Sequence, residues 1–214
     1  MFRIDLHVHS FFSGDSNADP EEAVVRAIEK GLDGIVFTEH YFFGVSEPVE
    51  VLKEKYGDKI RIFRGVEFPS YEGHCLVYGA DTDKLLLKHV PVDELIRVVH
   101  NAGGVVIPSH PYRRGTSLGE LIRSVKGICA LEGYNGCNMP VMNDQAVAVA
   151  MELNLPYTGG SDAHLPSEVG LCFTGFQEVV TYDNFIDLLK AGKYQGVDTR
   201  RHVRKTGLFG AFPR

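Results

Sequence analysis

The stretch Asp-Leu-His-Val-His-Ser at residues 5–10 ends the first apolar segment of the chain. The pattern over residues 3–9 predicts a β-strand, in which side chains two positions apart point to the same side. His7 and His9 therefore present two imidazoles to one point, an arrangement that suits a borderline metal such as zinc. A single His-x-His pair is weak evidence, so the argument depends on how the other apolar segments end.

Apolar and helical segments alternate along the rest of the chain. A helix is predicted from residue 20, because Asp19 suits the N-cap and Pro20 the first helical position. Further strands are predicted over residues 34–40, 60–67, 74–78, 104–110, 128–134, 157–164 and 171–176. Further helices are predicted over residues 48–56, 91–102, 118–125, 143–153 and 183–191. Strands that alternate with helices favour parallel β/α units.

This pattern predicts an α/β fold, a distorted (β/α)7-type barrel in one catalytic domain over residues 1–214. A chain of 214 residues is near the lower size limit of such a barrel. An open doubly wound sheet is the alternative, but no G-x-G-x-x-G motif follows the first strand. The position of polar residues favours the barrel, because its active site gathers at the carboxyl ends of the strands.

Metal-ligating residue types recur at the ends of the predicted strands. They are His40, Glu67, His74, His110, Asp162 and His164. Each alone is more simply a hydrogen-bonded core histidine or a capping carboxylate. Agreement at several strand ends favours a metal site instead. Asp5 points to the same side as His7, and we expect it to orient a ligand from behind.

The motifs in combination resemble a known family. They are Asp-Leu-His-Val-His-Ser at 5–10, Thr-Glu-His at 38–40, Gly-Val-Glu-Phe at 65–68 with His74, and Ser-His-Pro at 109–111 with Gly-Ser-Asp-Ala-His at 160–164. In this order they resemble the PHP family, the polymerase and histidinol-phosphatase domain. The resemblance covers residues 3–193 and implies the PHP fold, a variant of the barrel, with metal-dependent hydrolysis of a phosphate ester.

The resemblance also implies three metal sites that hold two or three divalent ions of zinc, manganese, iron or magnesium. The first ion would be held by His7, His9, Glu67 and Asp162, the second by Glu67, His74 and His110, and the third by Asp15, His40 and His164. Glu67 would bridge the first two ions. Asp15 stands where family members with three ions often carry His, which favours a harder ion such as manganese or magnesium there. Glu39 stands where the family more often has Asp.

The resemblance implies a small phosphomonoester or phosphodiester as substrate, hydrolysed by metal-activated water. Asp162, His164 and Arg113 are the expected catalytic residues. Arg113 and Arg114 follow Ser-His-Pro-Tyr, and Arg113 is the better candidate for holding phosphate, although a solvated loop arginine is an equal alternative. Two other functions stay open: a nuclease that acts on nucleic-acid ends, and a regulatory PHP domain that binds metal without turnover.

The charge and hydropathy of the chain indicate which kinds of binding partner to expect. The net charge of −6 and the pI near 5.8 disfavour a nucleic-acid partner without excluding one. The chain lacks the apolar runs of a membrane span or a signal peptide, which predicts a cytoplasmic protein that does not contact a membrane. The sequence does not fix an oligomeric state.

Four further features have simple interpretations. The four cysteines, Cys75, Cys129, Cys137 and Cys172, are expected to be buried free thiols. Asn135 follows a predicted strand and either lines the mouth or, as we expect, serves a turn. The aromatic residues 41–43 either cover a substrate or pack in the core. The basic run at residues 200–205 is expected to be a solvated end, with pairing to phosphate, an acidic partner or nucleic acid as the alternative.

Overall fold

The structure is a computed structural model that describes residues 1–85 and 89–201. Its strands are β1 Phe2–Val8, β2 Gly34–Phe37, β3 Arg61–Pro69, β4 His74–Tyr78, β5 Val105–Pro108, β6 Leu131–Asn135, β7 Tyr157–Gly160, β8 Cys172–Phe176 and β9 Tyr194–Asp198. Its α-helices are α1 Pro20–Glu29, α2 Glu50–Tyr56, α3 Thr82–Leu85, α4 Val92–Asn101, α5 Pro140–Glu152 and α6 Phe185–Ala191. Short 3-10 helices cover Phe11–Ser13, Phe43–Val49, Gly119–Arg123 and Pro166–Glu168.

Helix α1 begins where its capping residues predict. The Asp19 carboxylate accepts hydrogen bonds from the backbone N–H groups of Glu21 and Glu22. Pro20 occupies the first turn, where its missing N–H costs no intrahelical bond. The apolar side of the helix then packs Ala23, Val24 and Ala27 into the core, as the sequence predicts.

The strands form a distorted seven-stranded barrel, which confirms the predicted fold class. Hydrogen bonding joins them in the order β5-β4-β3-β2-β1-β8-β9, and β6 and β7 form a separate pair. Strand β6 lies beside β5. The chain after β7 closes the ring on β1, where the Asp162 N–H donates to the His7 carbonyl at 2.6 Å and the His9 N–H donates to the Ala163 carbonyl at 3.0 Å. Strands β1–β7 thus line the barrel, and β8 and β9 continue the sheet from β1 and lie against β7.

The expectation of uniformly parallel units is wrong at two strands. Strand β4 runs antiparallel to both β3 and β5, and β8 runs antiparallel to both β1 and β9. Strand β9 was not predicted. Because β4 runs opposite to its neighbours, its first residue, His74, lies at the end of the barrel where the parallel strands finish.

Several predicted bounds also change. The predicted strand over residues 34–40 ends at Phe37, so Glu39 and His40 follow it. The helix predicted over residues 48–56 begins within a 3-10 helix and becomes α-helical only at Glu50. The segment predicted as a helix over residues 118–125 contains a 3-10 helix, Gly119–Arg123. Pro48 lies inside the 3-10 helix that precedes α2, and it cannot donate an intrahelical hydrogen bond.

Two expectations about surface residues are corrected. Cys75 and Cys172 are buried and Cys129 is half-buried, but Cys137 is exposed on the loop after β6. Arg200 is not a solvated end, because it is half-buried against Asp198 and backbone carbonyls. Residues 202–205 of the basic run lie outside the described residues.

The three aromatic residues after β2 differ in exposure. Tyr41 and Phe42 are exposed, whereas Phe43 lies under the Arg64 guanidinium, 4.3 Å from its ring centroid. None of the described helices combines the length and the hydropathy that a bilayer span needs.

Candidate metal centre

All nine predicted metal ligands meet at the mouth of the barrel. Strand β1 supplies His7 and His9, whose Nε2 atoms lie 3.0 Å apart. The His9 ring is flanked by His40 after β2, at 4.4 Å between centroids, and by His164 after β7, at 4.7 Å. The other candidate ligands surround this pair. Asp15 lies on the loop before α1, and the rest lie at or near strand ends: Glu67, His74, His110 and Asp162.

The innermost group contains His7, His9, Glu67 and Asp162, each almost completely buried. Its four ligand atoms all lie within 4.8 Å of one another. The Nε2 atom of His9 is 3.3 Å from Glu67 Oε2 and 3.2 Å from Asp162 Oδ1, and that of His7 is 3.4 Å from each oxygen. These are the four residues that the family resemblance implies for the first ion.

Glu67 connects this group to a second set of ligands. Its Oε1 atom lies 2.6 Å from His110 Nε2 and 3.3 Å from His74 Nδ1. Its Oε2 atom faces the first group and also lies 3.3 Å from His40 Nδ1. His40, Glu67 and His74 form a compact group of possible ligands, so His40 stands between the second and third sites that the resemblance implies.

The third group is the most exposed. His9, Asp15, His40 and His164 have ligand atoms within 4.8 Å of one another. Asp15 Oδ2 lies 2.9 Å from His40 Nε2 and 3.4 Å from His164 Nε2. His9 therefore lies beside the three residues that the resemblance implies for this site. Its imidazole faces both this group and the innermost group.

Backbone geometry at the strand ends is unusual. His110 and Asp162 have positive φ values of 31° and 55°, and Tyr41 beside His40 has 69°. Side chains disfavour this left-handed region, and such strain collects at functional sites. Gly160 lies so close to β1 that a Cβ atom there would stand 2.4 Å from His7 Cβ. Glycine is thus needed for β7 to pass beside the two histidines.

Two carboxylates behind the ligands fix their orientation. Glu132 on β6, which the sequence analysis missed, accepts from the His110 N–H at 2.6 Å and contacts His7 Nδ1 at 2.8 Å. Such a contact sets the tautomer, and so leaves Nε2 of His7 to face a metal. Glu39 accepts from the N–H and hydroxyl of Ser10 and from the Ser13 hydroxyl, which contacts His9 Nδ1 at 2.9 Å.

Asp5 acts differently from the prediction. Its carboxylate contacts no ligand side chain and instead accepts from the backbone N–H groups of His7, Ser161 and Gly170, at 3.3, 2.8 and 2.8 Å. It therefore holds β1 against the segment after β7. Burial outweighs these hydrogen bonds and raises the pKa of Asp5 to about 6.

Arg113 lies at the edge of the innermost group. Its Nη2 atom donates to Asp162 Oδ2 at 2.6 Å and to Asn135 Oδ1 at 2.8 Å, and its Nε atom donates to Asn138 Oδ1 at 2.9 Å. Arg114 is exposed. Asn135 is completely buried and also caps a turn by accepting from the Cys137 N–H, so its predicted turn role is only part of its function.

The ligands polarise one another. Burial opposes a charge on His7 and His9, but Asp162 and the neighbouring carboxylates outweigh it and raise the pKa of both, that of His9 to about 9. Burial also opposes a charge on Glu67 and Asp162, yet His7 and its neighbours lower the pKa of both carboxyls well below the usual range. Burial and the nearby His9 lower the pKa of His40.

The donor set fits divalent metal ions. Buried imidazoles and carboxylates with facing ligand atoms are the ligands of zinc and of harder divalent ions. The buried Nδ1 atoms of His74 and His110 have no hydrogen-bond partner among the described residues. His74 Nδ1 lies 3.3 Å from Glu67 Oε1, so an ion held between them would be a partner for this nitrogen. Protons and metal ions compete for these nitrogens, so binding would release protons.

Sequence comparisons agree with this donor set. The PHP domain model matches residues 5–153, and the PHP-associated model matches residues 140–194. The histidinol-phosphatase of Lactococcus lactis is 32% identical over 119 residues, which are 50% of this chain and 42% of that protein. The chain therefore spans less than half the length of this curated relative.

Solved structures share the fold. PsfC from Pseudomonas syringae has a TM-score of 0.71 at 22% identity and covers 96% of both chains. A Bifidobacterium adolescentis protein, provisionally assigned as a metal-dependent phosphoesterase, has a TM-score of 0.62 at 18% identity and covers 92% of this chain and 98% of that one. A lesion-specific endonuclease of Pyrococcus furiosus has a TM-score of 0.68 at 18% identity, and the match covers 91% of this chain and 57% of that one. With most of its length matched by the family model and its barrel shared with these structures, the chain belongs to the PHP domain family.

Proposed function

We propose that this chain is a metal-dependent phosphoesterase that hydrolyses a small phosphomonoester or phosphodiester. One observation supports this most: buried imidazoles and carboxylates face one another in the barrel mouth, with an arginine fork beside them. Family membership and the relative named histidinol-phosphatase favour the same reaction class.

Two or three divalent ions of zinc, manganese, iron or magnesium are the proposed cofactors. His7, His9, Glu67 and Asp162 would hold the first, Glu67 with His74 and His110 the second, and Asp15, His40 and His164 the third. Such ions activate water and neutralise charge on substrate oxygens. Glu132 keeps His7 oriented, and the hydroxyl of Ser109 donates to Glu67 Oε1 at 2.7 Å, which keeps that carboxylate turned into the site.

Arg113 is the proposed phosphate-binding residue. One edge of its guanidinium is held by Asn135, Asn138 and Asp162. No described residue accepts a hydrogen bond from its Nη1 atom, so two N–H groups are available to a phosphate oxygen. A guanidinium suits this task, because its donors match phosphate geometry and its charge-assisted hydrogen bonds are strong.

The substrate is proposed to be small. A long nucleic-acid track needs many cationic contacts, and the chain carries a net charge of −6. The exposed rings of Tyr41 and Phe42 follow His40 directly and are available to cover the organic part of a substrate.

A screen with separate metals and substrates tests this proposal. The full chain, stripped with a chelator and reloaded with Zn²⁺, Mn²⁺, Fe²⁺ or Mg²⁺, is given p-nitrophenyl phosphate, bis(p-nitrophenyl) phosphate and a panel of small biological phosphate esters. We expect turnover that is lost on stripping and restored by at least one metal. Efficient cleavage of a labelled single-stranded oligonucleotide over every small ester would favour a nuclease. Metal binding without turnover of any of these would favour a regulatory domain.

A further inference from the structure

Arg200 just after β9 connects the last strand to the loop that follows β6. Its Nε and Nη2 atoms each donate to the Asp198 carboxylate at 2.8 Å. Its Nη1 atom donates to the carbonyls of Gly136 at 2.5 Å and Asn138 at 3.3 Å, and Nη2 also donates to the Asn135 carbonyl at 3.2 Å. A guanidinium has five N–H donors. All five of Arg200 are used within the protein, so none is left for a substrate.

The loop that Arg200 holds carries two amide side chains towards the metal centre. Asn143 on α5 donates to the Asn135 carbonyl at 3.0 Å and accepts from Asn138 Nδ2 at 3.1 Å. With Nδ2 used in this way, Asn138 can offer only its Oδ1 oxygen to Arg113. Asn135 Nδ2 donates to Glu132 and Asp162, which likewise turns its Oδ1 towards Arg113.

Arg113 depends on this loop for its orientation. Two of its three side-chain acceptors are the Oδ1 atoms of Asn135 and Asn138. The same two residues present their backbone carbonyls to Arg200. Gly136 between them packs closely on the segment after β7, since a Cβ there would stand 2.5 Å from the Ser161 carbonyl oxygen. One arginine therefore fixes the backbone of a loop whose side chains fix another arginine.

We propose that Arg200 is a positioning residue that sets the Arg113 guanidinium at the mouth through the loop at residues 135–138. The orientation of Arg113 is a structural inference, and only its effect on phosphate esters rests on the proposed function. Arg200 contacts none of the proposed metal ligands, so it acts on the mouth through the loop, and Arg113 takes two of its three side-chain acceptors from that loop.

The Nε–H group of Arg113 reports its orientation directly. In the full chain loaded with Zn²⁺, its ¹H–¹⁵N signal is assigned by its loss in Arg113→Lys. Arg200→Lys keeps a positive charge but cannot make five directed hydrogen bonds. We expect it to speed solvent exchange of this Nε–H about tenfold, the factor for loss of one hydrogen bond.

Arg201→Lys is the matched control. Arg201 is the next residue and pairs with Asp144 and more distantly with Asp198, but donates to no carbonyl of the 135–138 loop. Exchange at Arg113 should stay unchanged in this variant. Equal exchange in wild type and Arg200→Lys would overturn the proposal, as would equal acceleration by both variants.

A double-mutant cycle measures the functional consequence. Introduced into the wild-type chain, Arg200→Lys should lower kcat/KM on a phosphate ester about tenfold and leave the metal content unchanged. Introduced into the Arg113→Ala variant, it should have little effect on kcat/KM. An equal loss in both backgrounds would overturn the proposal. If wild type hydrolyses no ester, the proposed function fails while the exchange measurement still decides the role of Arg200. If Arg200→Lys does not fold, Asp198→Asn replaces it under the same criteria, since it removes the carboxylate that holds Arg200.

Discussion

At the scale of single residues, the Glu67 carboxylate lies between two groups of candidate metal ligands. Its two oxygens face His7, His9 and His40 on one side and His74 and His110 on the other. A carboxylate that serves two groups in this way is suited to bridge two ions.

Glu67→Gln should therefore lower the bound metal by at least one ion per chain and nearly abolish turnover. Glutamine preserves the shape but has one oxygen instead of two and carries no charge. Metal analysis of the purified protein and ester hydrolysis measure the two effects. Full metal content with the full rate would contradict the bridging role.

Arg113 and its neighbour Arg114 offer a matched pair. Arg113→Ala should lower kcat/KM on small phosphate esters by one to two orders of magnitude, about 1.4 kcal/mol for each, because a charge-assisted contact to phosphate is lost. Arg114→Ala, an exposed change in the same loop, should leave kcat/KM within about twofold, since surface charges away from a site contribute little. Both variants should keep their metal. An equal effect of the two changes would remove Arg113 from the site.

Glu132 shows which site residues a single sequence hides. It lies in β6 between apolar residues, with no second ligand type beside it and no place in the four motifs. The available signal was a lone carboxylate inside an otherwise apolar strand. Burial makes such a residue costly unless it is paired, and here it pairs with the ligand His7.

At the scale of elements, the contact between β1 and β7 is testable. Gly160→Ala places a methyl group against His7 Cβ, so β7 must move away from β1. Overpacking of this kind costs about 1–3 kcal/mol of the free energy of unfolding. We expect a lower melting temperature together with weaker metal binding, measured by calorimetry and metal titration.

Gly103→Ala separates these two effects. Gly103 has φ of 87° and open space around it, so alanine there costs about 1 kcal/mol through backbone strain alone. The Gly103→Ala variant should bind metal with the same affinity as wild type. Unchanged metal affinity in Gly160→Ala would show that the close approach of β7 does not shape the site.

The sequence predicts which candidate ligands lie close together at the mouth better than it predicts the directions of strands. Ligands at strand ends are visible because each interrupts an apolar run. The reversal of β4 was also visible, since residues 70–73 are too short for a parallel crossover, which needs a dozen or more residues. The antiparallel pairings of β4 with β5 and of β8 with β9 carry no such signal, because helices stand in both connections as they would between parallel strands.

At the scale of the whole molecule, the Asp198–Arg200 pair gives stability a defined acid dependence. Burial raises the pKa of Asp198, but Arg200 outweighs burial and the pKa is lowered. An unfolded aspartate titrates near 3.9. The pair therefore contributes its full stability at neutral pH, and the contribution falls as the pH drops below about 4.

Asp198→Asn should consequently be less stable than wild type at pH 7, and the difference should narrow below about pH 4. Urea unfolding of chelator-treated proteins at several pH values measures the difference without a contribution from metal. Asp144→Asn is the control, because Asp144 pairs with Arg201 at the surface and should contribute little at any pH. A difference that stays constant from pH 7 to pH 3 would contradict the assignment.

The closure of β7 on β1 also determines when the protein can take up metal during its synthesis. His7 and Ser161 make contact across 154 residues of chain. Ribosomes add about 5–20 residues per second, so roughly 8–30 s separate the synthesis of the His-Val-His strand from that of its closing partner. Until then the two imidazoles belong to a strand with an open edge, and Asp162 has not been made. The first proposed metal site can therefore be complete only late in synthesis, after Asp162 has been added to the chain.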